Sequence, residues 1–439
     1  MTRRLTVLVQ AYACNPLQGS EEGVGWGWVK AISRHHDLHV LTAEYHRSDI
    51  ETQLREEPHL QERIQFHYVP AKRWHYSPVS GWVAIENSAL KPLMHIAYRL
   101  WQKDAYKMSL ELSKTTSFDL VHVITYVGFR FPGSYWKLPY PLVWGPVGGL
   151  ENTPWRYFPV LGLHGSIMFG GRNLWNAFDR TFLPGPKKAF RKAGNGVISA
   201  TSGIQEEIKA RYGIESIVRC EIGTDGMSSS SSITRRQPDE PLEIVWSGLH
   251  IARKALPLLL VALSELPEQV NWRLTVLGSG PLTKKWRAIA RSLDISNNIV
   301  WSGKVSRESA IERMTHAHVM AITSVYDLTS SVVIEALSVG LPVICPNHFG
   351  FRDAVNDSCG VRVEVTSLQR IREGIKKAIL ELYMDESYRQ RLSHGAKIRS
   401  GDFSWEKLGE LVSGLYREKV VAHSRGTSTR LADNLETGH

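Results

Sequence analysis

Cysteine is scarce in this chain of 439 residues. The four present, Cys14, Cys220, Cys345 and Cys359, share no C-x-x-C spacing. That excludes a disulfide framework and offers no zinc site. Long apolar runs are also missing. The longest, Ala255–Leu263, has nine residues and contains Pro257, whereas a membrane-spanning helix needs about 20. The N-terminal apolar stretch Leu5–Val9 stops at Gln10, too short for a secretory signal and suited to a first strand. A soluble, cytoplasmic chain is expected. No repeat of solenoid or propeller length is present. With 43% hydrophobic and 22% charged residues, wholesale disorder is excluded.

Positive charge is in excess, at a formal net of +10. It is concentrated in two stretches. Residues 72–107 hold six Lys or Arg against Glu86 and Asp104, and residues 172–192 hold six against Asp179. Such patches suit nucleic acid, anionic lipid or a phosphate-bearing substrate. No helix-turn-helix, RNA-binding signature or zinc finger accompanies them, so nucleic acid is not an expected partner.

Apolar runs bounded by turn residues alternate with helical stretches along the whole chain. In the first half LTVLV, LHVLT (38–42), IQFHYV (64–69), DLVHVIT (119–125), PLVWG (141–145) and GVISAT (196–201) read as strands, with an amphipathic helix within 79–113. The segment MSSSSSITRRQPDEP reads as a linker. The pattern then restarts with LEIVWSG (242–248), WRLTVLGSG (272–280), NIVWSG, HVMAITS (318–324) and PVICP (342–346). The fold class is α/β: two doubly wound Rossmann-like domains facing across a cleft at the carboxyl ends of their sheets. The boundaries are an N-terminal domain over 1–226, a linker over 227–241, a C-terminal domain over 242–402, a last helix over 403–421, and a disordered tail over 422–439.

Several residue groups point to anion and sugar binding. In SVYDLTSSVVIEALSVGLPVI (324–344) a tight loop leads from a strand into a helix, so free backbone N–H groups at the helix start suit an anion or sugar hydroxyls. Asp327 and Glu335 lie eight residues apart there. Arg253 and Lys254 sit together before a helix, where the helix dipole disfavours cations unless an anion binds. VLGSGP (276–281) is a further Gly-rich turn. No D-x-D triplet occurs; enzymes that hold a nucleotide-sugar through a divalent metal usually offer one, so no metal and no cofactor are expected.

As an ordered set over residues 242–400, these pieces resemble the donor domain of family-4 retaining glycosyltransferases of the GT-B fold, also called group 1 glycosyltransferases. The first half is similar to a subgroup of that family through GSEEGVGWGW, DLVHVITYVGFRFP and WGPVGGLENTPWRYFP. The resemblance implies a retaining transfer of a sugar from a nucleotide-sugar to an acceptor hydroxyl, the acceptor being a saccharide or lipid-linked saccharide in polysaccharide or exopolysaccharide synthesis. It implies that Glu335 binds the nucleotide ribose, that Asp327 touches the donor sugar, and that Leu328, Thr329, Ser330 and Ser331 form the loop against sugar and diphosphate. Lys254 falls on the diphosphate lysine, and Arg253 substitutes for an arginine whose usual place is taken by Leu249. Gly23 or Gly25 corresponds to a glycine loop closing over the phosphates. His122 lies where many relatives carry H-x-H, with Ile124 in the second place; it and Asp327 are the candidate catalytic residues. Glu151, Trp155 and Trp26 are candidate acceptor contacts. The basic, aromatic stretch 72–107 suits peripheral contact with an anionic inner membrane face. An epimerase or hydrolase on the same fold, or a non-enzymatic nucleotide- or sugar-binding protein, are the alternative readings.

Overall fold

The structure is a computed structural model that describes residues 3–71, 91–225, 234–328 and 330–436. Two parallel sheets are present among them. The first contains β1 (Thr6–Gln10), β2 (Asp37–Ala43), β3 (Ile64–Val69), β4 (Leu120–Val123), β5 (Leu142–Val147), β6 (Val197–Ser199) and β7 (Ile217–Val218), in the order β3-β2-β1-β4-β5-β6-β7. The second contains β8 (Leu242–Ser247), β9 (Trp272–Leu277), β10 (Ile299–Gly303), β11 (Val319–Ala321), β12 (Val343–Pro346) and β13 (Gly360–Val363), in the order β10-β9-β8-β11-β12-β13. Strands covered on both faces are buried at every position, as β4, β5 and β12 are, and their residues are apolar apart from the hydrogen-bonded His122 in β4.

In each sheet the strand order reverses once, between β1 and β4 and between β8 and β11. Helices on either side of a reversal diverge and leave a crevice at the carboxyl ends of the strands. The loops after β1 and β4 carry Tyr12, Ala13, Thr125 and Tyr126. Those after β8 and β11 carry Arg253, Lys254 and Asp327. The topology therefore brings the predicted basic pair and acid to one switch point.

The chain passes between the two domains twice, side by side. Thr224 N donates to Phe403 O at 2.9 Å, and Trp405 N donates to Thr224 O at 3.0 Å. The last helix, Trp405–Glu436, packs on helix Ser20–Ser33 of the first domain. A Cβ on Gly27 would lie 2.3 Å from the Trp405 ring, so only glycine allows that approach. Ser413 Oγ lies 2.9 Å from His36 Nε2 farther along the same seam.

Several boundaries differ from the sequence reading. The helix Ser20–Ser33 begins inside the segment GSEEGVGWGW, where the resemblance implies a glycine loop. Residues 226–233 lie outside the described part, but 234–241 is not a free linker: Thr234 donates to Thr315 O at 2.6 Å, and the buried Arg236 donates to Tyr383 O at 2.6 Å. The carbonyls of Glu240 in the same stretch and of Tyr383 in the second domain accept from the two terminal nitrogens of that guanidinium, which ties the charged run down. The last helix continues to Glu436, through 422–436 where disorder was expected. No proline interrupts that stretch, so its hydrogen-bond ladder has no forced stop. The helix expected within 79–113 spans Lys91–Thr115; residues 79–90, with Trp82, lie outside the described residues. No helix among the described residues is long and apolar enough to cross a membrane.

Candidate active site

The donor-side cluster is assembled by backbone contacts between distant segments. After β8 a single turn, Ala252–Lys254, precedes helix Pro257–Ser264. Val325 N donates to Arg253 O at 2.8 Å, and Thr323 Oγ1 donates to Lys254 O at 2.7 Å. The loop after β11 is thereby held against the basic turn. Lys254 Nζ lies 2.5 Å from Asp327 Oδ2, and Arg253 Nη1 lies 3.2 Å from Asp327 Oδ1 and from Tyr326 O. Burial alone would raise the Asp327 pKa, but Lys254 and then Arg253 outweigh it and hold the carboxyl below its ordinary value. Asp327 is thus ionised, with each oxygen engaged by one cation of the predicted diphosphate site.

Glu335 projects from the second turn of helix Ser331–Ser338, and its Oε1 accepts from Arg307 Nε at 2.7 Å. Arg307 is 68% exposed, so this partner is readily displaced. Ser330 is buried as the residue before the helix, Ser331 is exposed, and Thr329 lies outside the described residues. Leu328 reaches the opposite domain. A Cβ on Gly148 would lie 2.8 Å from its Cδ1, so the leucine side chain packs directly on the GPVGG turn. The VLGSGP turn is fixed to the loop after β8: Gly278 has φ +110°, and a side chain there would strike Gly248 O at 2.0 Å.

Across the cleft, Gly23 and Gly25 do not form a loop. Both sit in the first turns of helix Ser20–Ser33. A Cβ on Gly25 would lie 1.9 Å from Ala13 O, and one on Gly23 would lie 2.5 Å from Gln18 O. Their bareness serves close packing of helix against the loop after β1, and the expected glycine loop is the start of a helix. The same helix start contributes a residue that the sequence reading overlooked. Glu21 accepts from Tyr126 N at 2.9 Å and holds Tyr126 at φ +56°, a costly conformation for a residue with a side chain. Glu221 is a second overlooked acid. Burial, then the negative charges of Glu21 and Asp327, push its pKa up to about 8. Glu21, Glu221 and Asp327 therefore share one region of the cleft, brought there by the first switch point, the strand-to-hinge connection and the second switch point. No local motif marks them. Among the described residues, no three His, Cys, Asp or Glu side chains converge to hold a metal ion.

Glu151 accepts from Thr201 Oγ1 at 2.6 Å at the start of helix Ser202–Tyr212. Burial pushes its pKa up to about 7, against the lowering effect of the Thr201 hydrogen bond and Arg352. It lies beside the interdomain seam, where Ser202 N donates to Asp353 Oδ2 at 2.8 Å and Arg352 Nη2 donates to Glu206 Oε1 at 2.8 Å.

Three other candidates separate from the cleft or change role. His122 is fully buried in β4; its Nδ1 lies 2.6 Å from Tyr416 Oη and its Nε2 lies 3.0 Å from Gly145 O. Both ring nitrogens are engaged beneath the last helix and no substrate can reach them, so the catalytic assignment is corrected to a structural one. Trp26 is likewise corrected. It is 9% exposed and stacks on Phe66 within the first domain's core, which excludes acceptor contact. Trp155 is 60% exposed and leans on Phe158, with ring centroids 4.6 Å apart.

The two facing Rossmann-like domains, with a cleft at the carboxyl ends of both sheets, are the GT-B fold. The structure of Anabaena HepE in complex with UDP and glucose aligns over 94% of this chain and 100% of that one, at a TM-score of 0.56 and 17% identity. Residues 233–399 match the family described as Glycosyl transferases group 1. Among curated relatives, the lipopolysaccharide glucosyltransferase WaaG of Escherichia coli is 26% identical over 172 residues, 38% of this chain and 45% of that one. A GDP-mannose-dependent monoacylated alpha-(1-6)-phosphatidylinositol monomannoside mannosyltransferase of Corynebacterium glutamicum is 24% identical over 263 residues, 54% of this chain and 67% of that one. The chain spans roughly half the length of most of the curated relatives it matches.

Proposed function

We propose that the protein is a retaining glycosyltransferase that moves a sugar from a nucleotide-sugar to the hydroxyl of a lipid-linked saccharide. The observation that carries this reading is the Arg253–Lys254–Asp327 cluster at the second switch point, within the domain that matches the group 1 family. Two cations aimed into a crevice stabilise the negative charge that a departing diphosphate develops. Asp327 acts as a positioning residue that keeps both cations charged and oriented until a diphosphate shares them. The C1–O bond to the diphosphate breaks, the acceptor oxygen bonds C1 on the same face, and the acceptor proton passes to the departing phosphate oxygen. Configuration is retained, and no protein nucleophile is required. Glu335 accepts hydrogen bonds from the ribose diol once Arg307 turns away. Support for a lipid-linked acceptor comes from the relatives, whose names specify lipopolysaccharide and a phosphatidylinositol monomannoside.

A thermal-shift screen of UDP, GDP, ADP and dTDP tests the reading directly, because a ligand that binds only the folded state raises the melting temperature by mass action. One nucleotide should stand out. No shift with any of the four would remove the donor-site assignment.

Two further outcomes are expected. Glu335→Ala should weaken donor binding by about 1–3 kcal/mol, roughly five- to a hundredfold, from two lost hydrogen bonds. Its melting temperature should be unchanged, because the Arg307 pair is exposed on one side and worth little. Unchanged donor affinity by calorimetry would place Glu335 outside the site. Transfer should also proceed at full rate in EDTA; dependence on added manganese or magnesium would contradict charge stabilisation by Arg253 and Lys254 alone.

A further inference from the structure

Helix Phe158–Phe182 is built inside out. Its polar side chains face the protein. Asn173 donates to Thr153 O at 2.7 Å and accepts from Thr153 N at 3.0 Å. Arg180 donates to Leu150 O at 2.9 Å, and Asp179 pairs with Arg130. Its outward side carries Leu163, Ile167, Leu174, Trp175, Phe178 and Phe182, between 56% and 82% exposed. Positions 163, 167, 174, 178 and 182 fall on one helical stripe. No Asp, Glu, Lys or Arg occurs among the exposed positions of this helix.

A stripe of this size in water is costly and marks an interaction surface. We infer that this helix is a membrane-docking face that lies in the headgroup plane of an anionic bilayer. Charge complementarity selects that occupant. The next helix, Pro184–Ala193, presents exposed Lys187, Lys188 and Arg191 directly after Phe182, and anionic headgroups neutralise them. A parallel two-fold pairing of this face with a second copy would bring two sets of the same cations together. The stripe does not cross a bilayer, because its opposite side is bonded to the protein. Large aromatic and aliphatic side chains outward with cations at the edge are the composition of a helix that lies in an interface. At its N-terminal end the apolar surface runs on through Leu163 into a cavity of about 640 Å³ lined also by Leu258, Val261, Trp286 and Ile289. The membrane contact is thus carried by the second basic stretch of the sequence and the helix before it. Of the first stretch, residues 72–90 lie outside the described part.

Docking needs neither donor nor acceptor, so its test is separate from that of the transferase reading. The full chain is sedimented with vesicles of phosphatidylcholine alone and of phosphatidylcholine with phosphatidylglycerol, at low and high salt. Binding to the anionic vesicles is expected, with little to the neutral ones. Trp175→Ser with Phe178→Ser should reduce it by about tenfold or more at either salt. Lys187→Glu with Lys188→Glu should reduce it chiefly at low salt, where charges are poorly screened. All four positions are exposed, so both variants should keep the wild-type melting temperature. Failure of the wild type to sediment with anionic vesicles, or wild-type binding by the Trp175/Phe178 variant, would overturn the inference. So would a wild-type dimer in analytical ultracentrifugation that the Trp175/Phe178 variant converts to monomer, since that would assign the face to a second copy.

Discussion

Replacing Arg253 and Lys254 together by alanine is expected to weaken nucleoside diphosphate binding by about 3–6 kcal/mol, because each charge-assisted hydrogen bond is worth about 1.5–3 kcal/mol. That corresponds to roughly a hundredfold to ten-thousandfold in affinity, while binding of the bare nucleoside should hardly change. The double variant also removes both partners of Asp327, a carboxylate that Lys254 and Arg253 keep ionised in the cleft. An unpaired buried charge is destabilising in its own right. Some loss of melting temperature should therefore accompany the loss of affinity. Adding Asp327→Asn separates the two effects: the triple variant should recover much of the melting temperature and none of the diphosphate affinity. Calorimetric titration of diphosphate and nucleoside against all three proteins decides the matter. Equal losses for the two ligands would mean that the cations serve the fold and not the phosphates.

The parts of this site legible in sequence are those fixed by local order. Arg253 and Lys254 follow a strand directly, and Asp327 follows another. In a parallel sheet, residues past the strands' carboxyl ends converge where the order reverses, which brings these two locally read pieces together, while the pairing of Asp327 with both cations has no local signature. The strands themselves were readable because burial on both faces makes them predominantly apolar. What stayed hidden depends on which side of an element faces inward. Trp26 and His122 sit in motifs with chemical promise, yet Trp26 turns into the core and His122 lies under a helix almost 300 positions later in the chain. Glu21 and Glu221 carry no local signature, because the cleft brings them together only after both domains are folded. Helix Phe158–Phe182 has an apolar period, but four glycines within it and an uncharged outward face conceal which side meets the protein. The same arrangement gives the molecule its division of labour, with chemistry at the switch points and the unpartnered apolar face on a helix beside the cleft.

His122→Ala is expected to destabilise the protein by about 2–5 kcal/mol at neutral pH, the range for emptying a buried site of this size. The Tyr416 hydroxyl and the Gly145 carbonyl lose their imidazole partner at once. Transfer per folded molecule should fall little, because no substrate reaches the ring. The pH dependence gives a second, sharper readout. Burial pushes the His122 pKa down to about 3, whereas the same group in the unfolded chain titrates near 6.5. Between those values the unfolded chain binds a proton that the folded one does not. Stability therefore rises with pH across the window and is lost as pH falls through it. The contribution is fully present above about 6.5. Buried His36, His46, His250 and His318, each held near 4 chiefly by burial, act in the same direction. Wild-type stability should thus drop steeply as pH falls from 6.5 toward 4, each histidine adding at most about 1.4 kcal/mol per pH unit. His122→Ala starts lower but loses one proton from that slope, so the two denaturation curves should converge on acidification. Parallel curves, or a variant with normal stability and no transfer activity, would return His122 to the chemistry of the cleft.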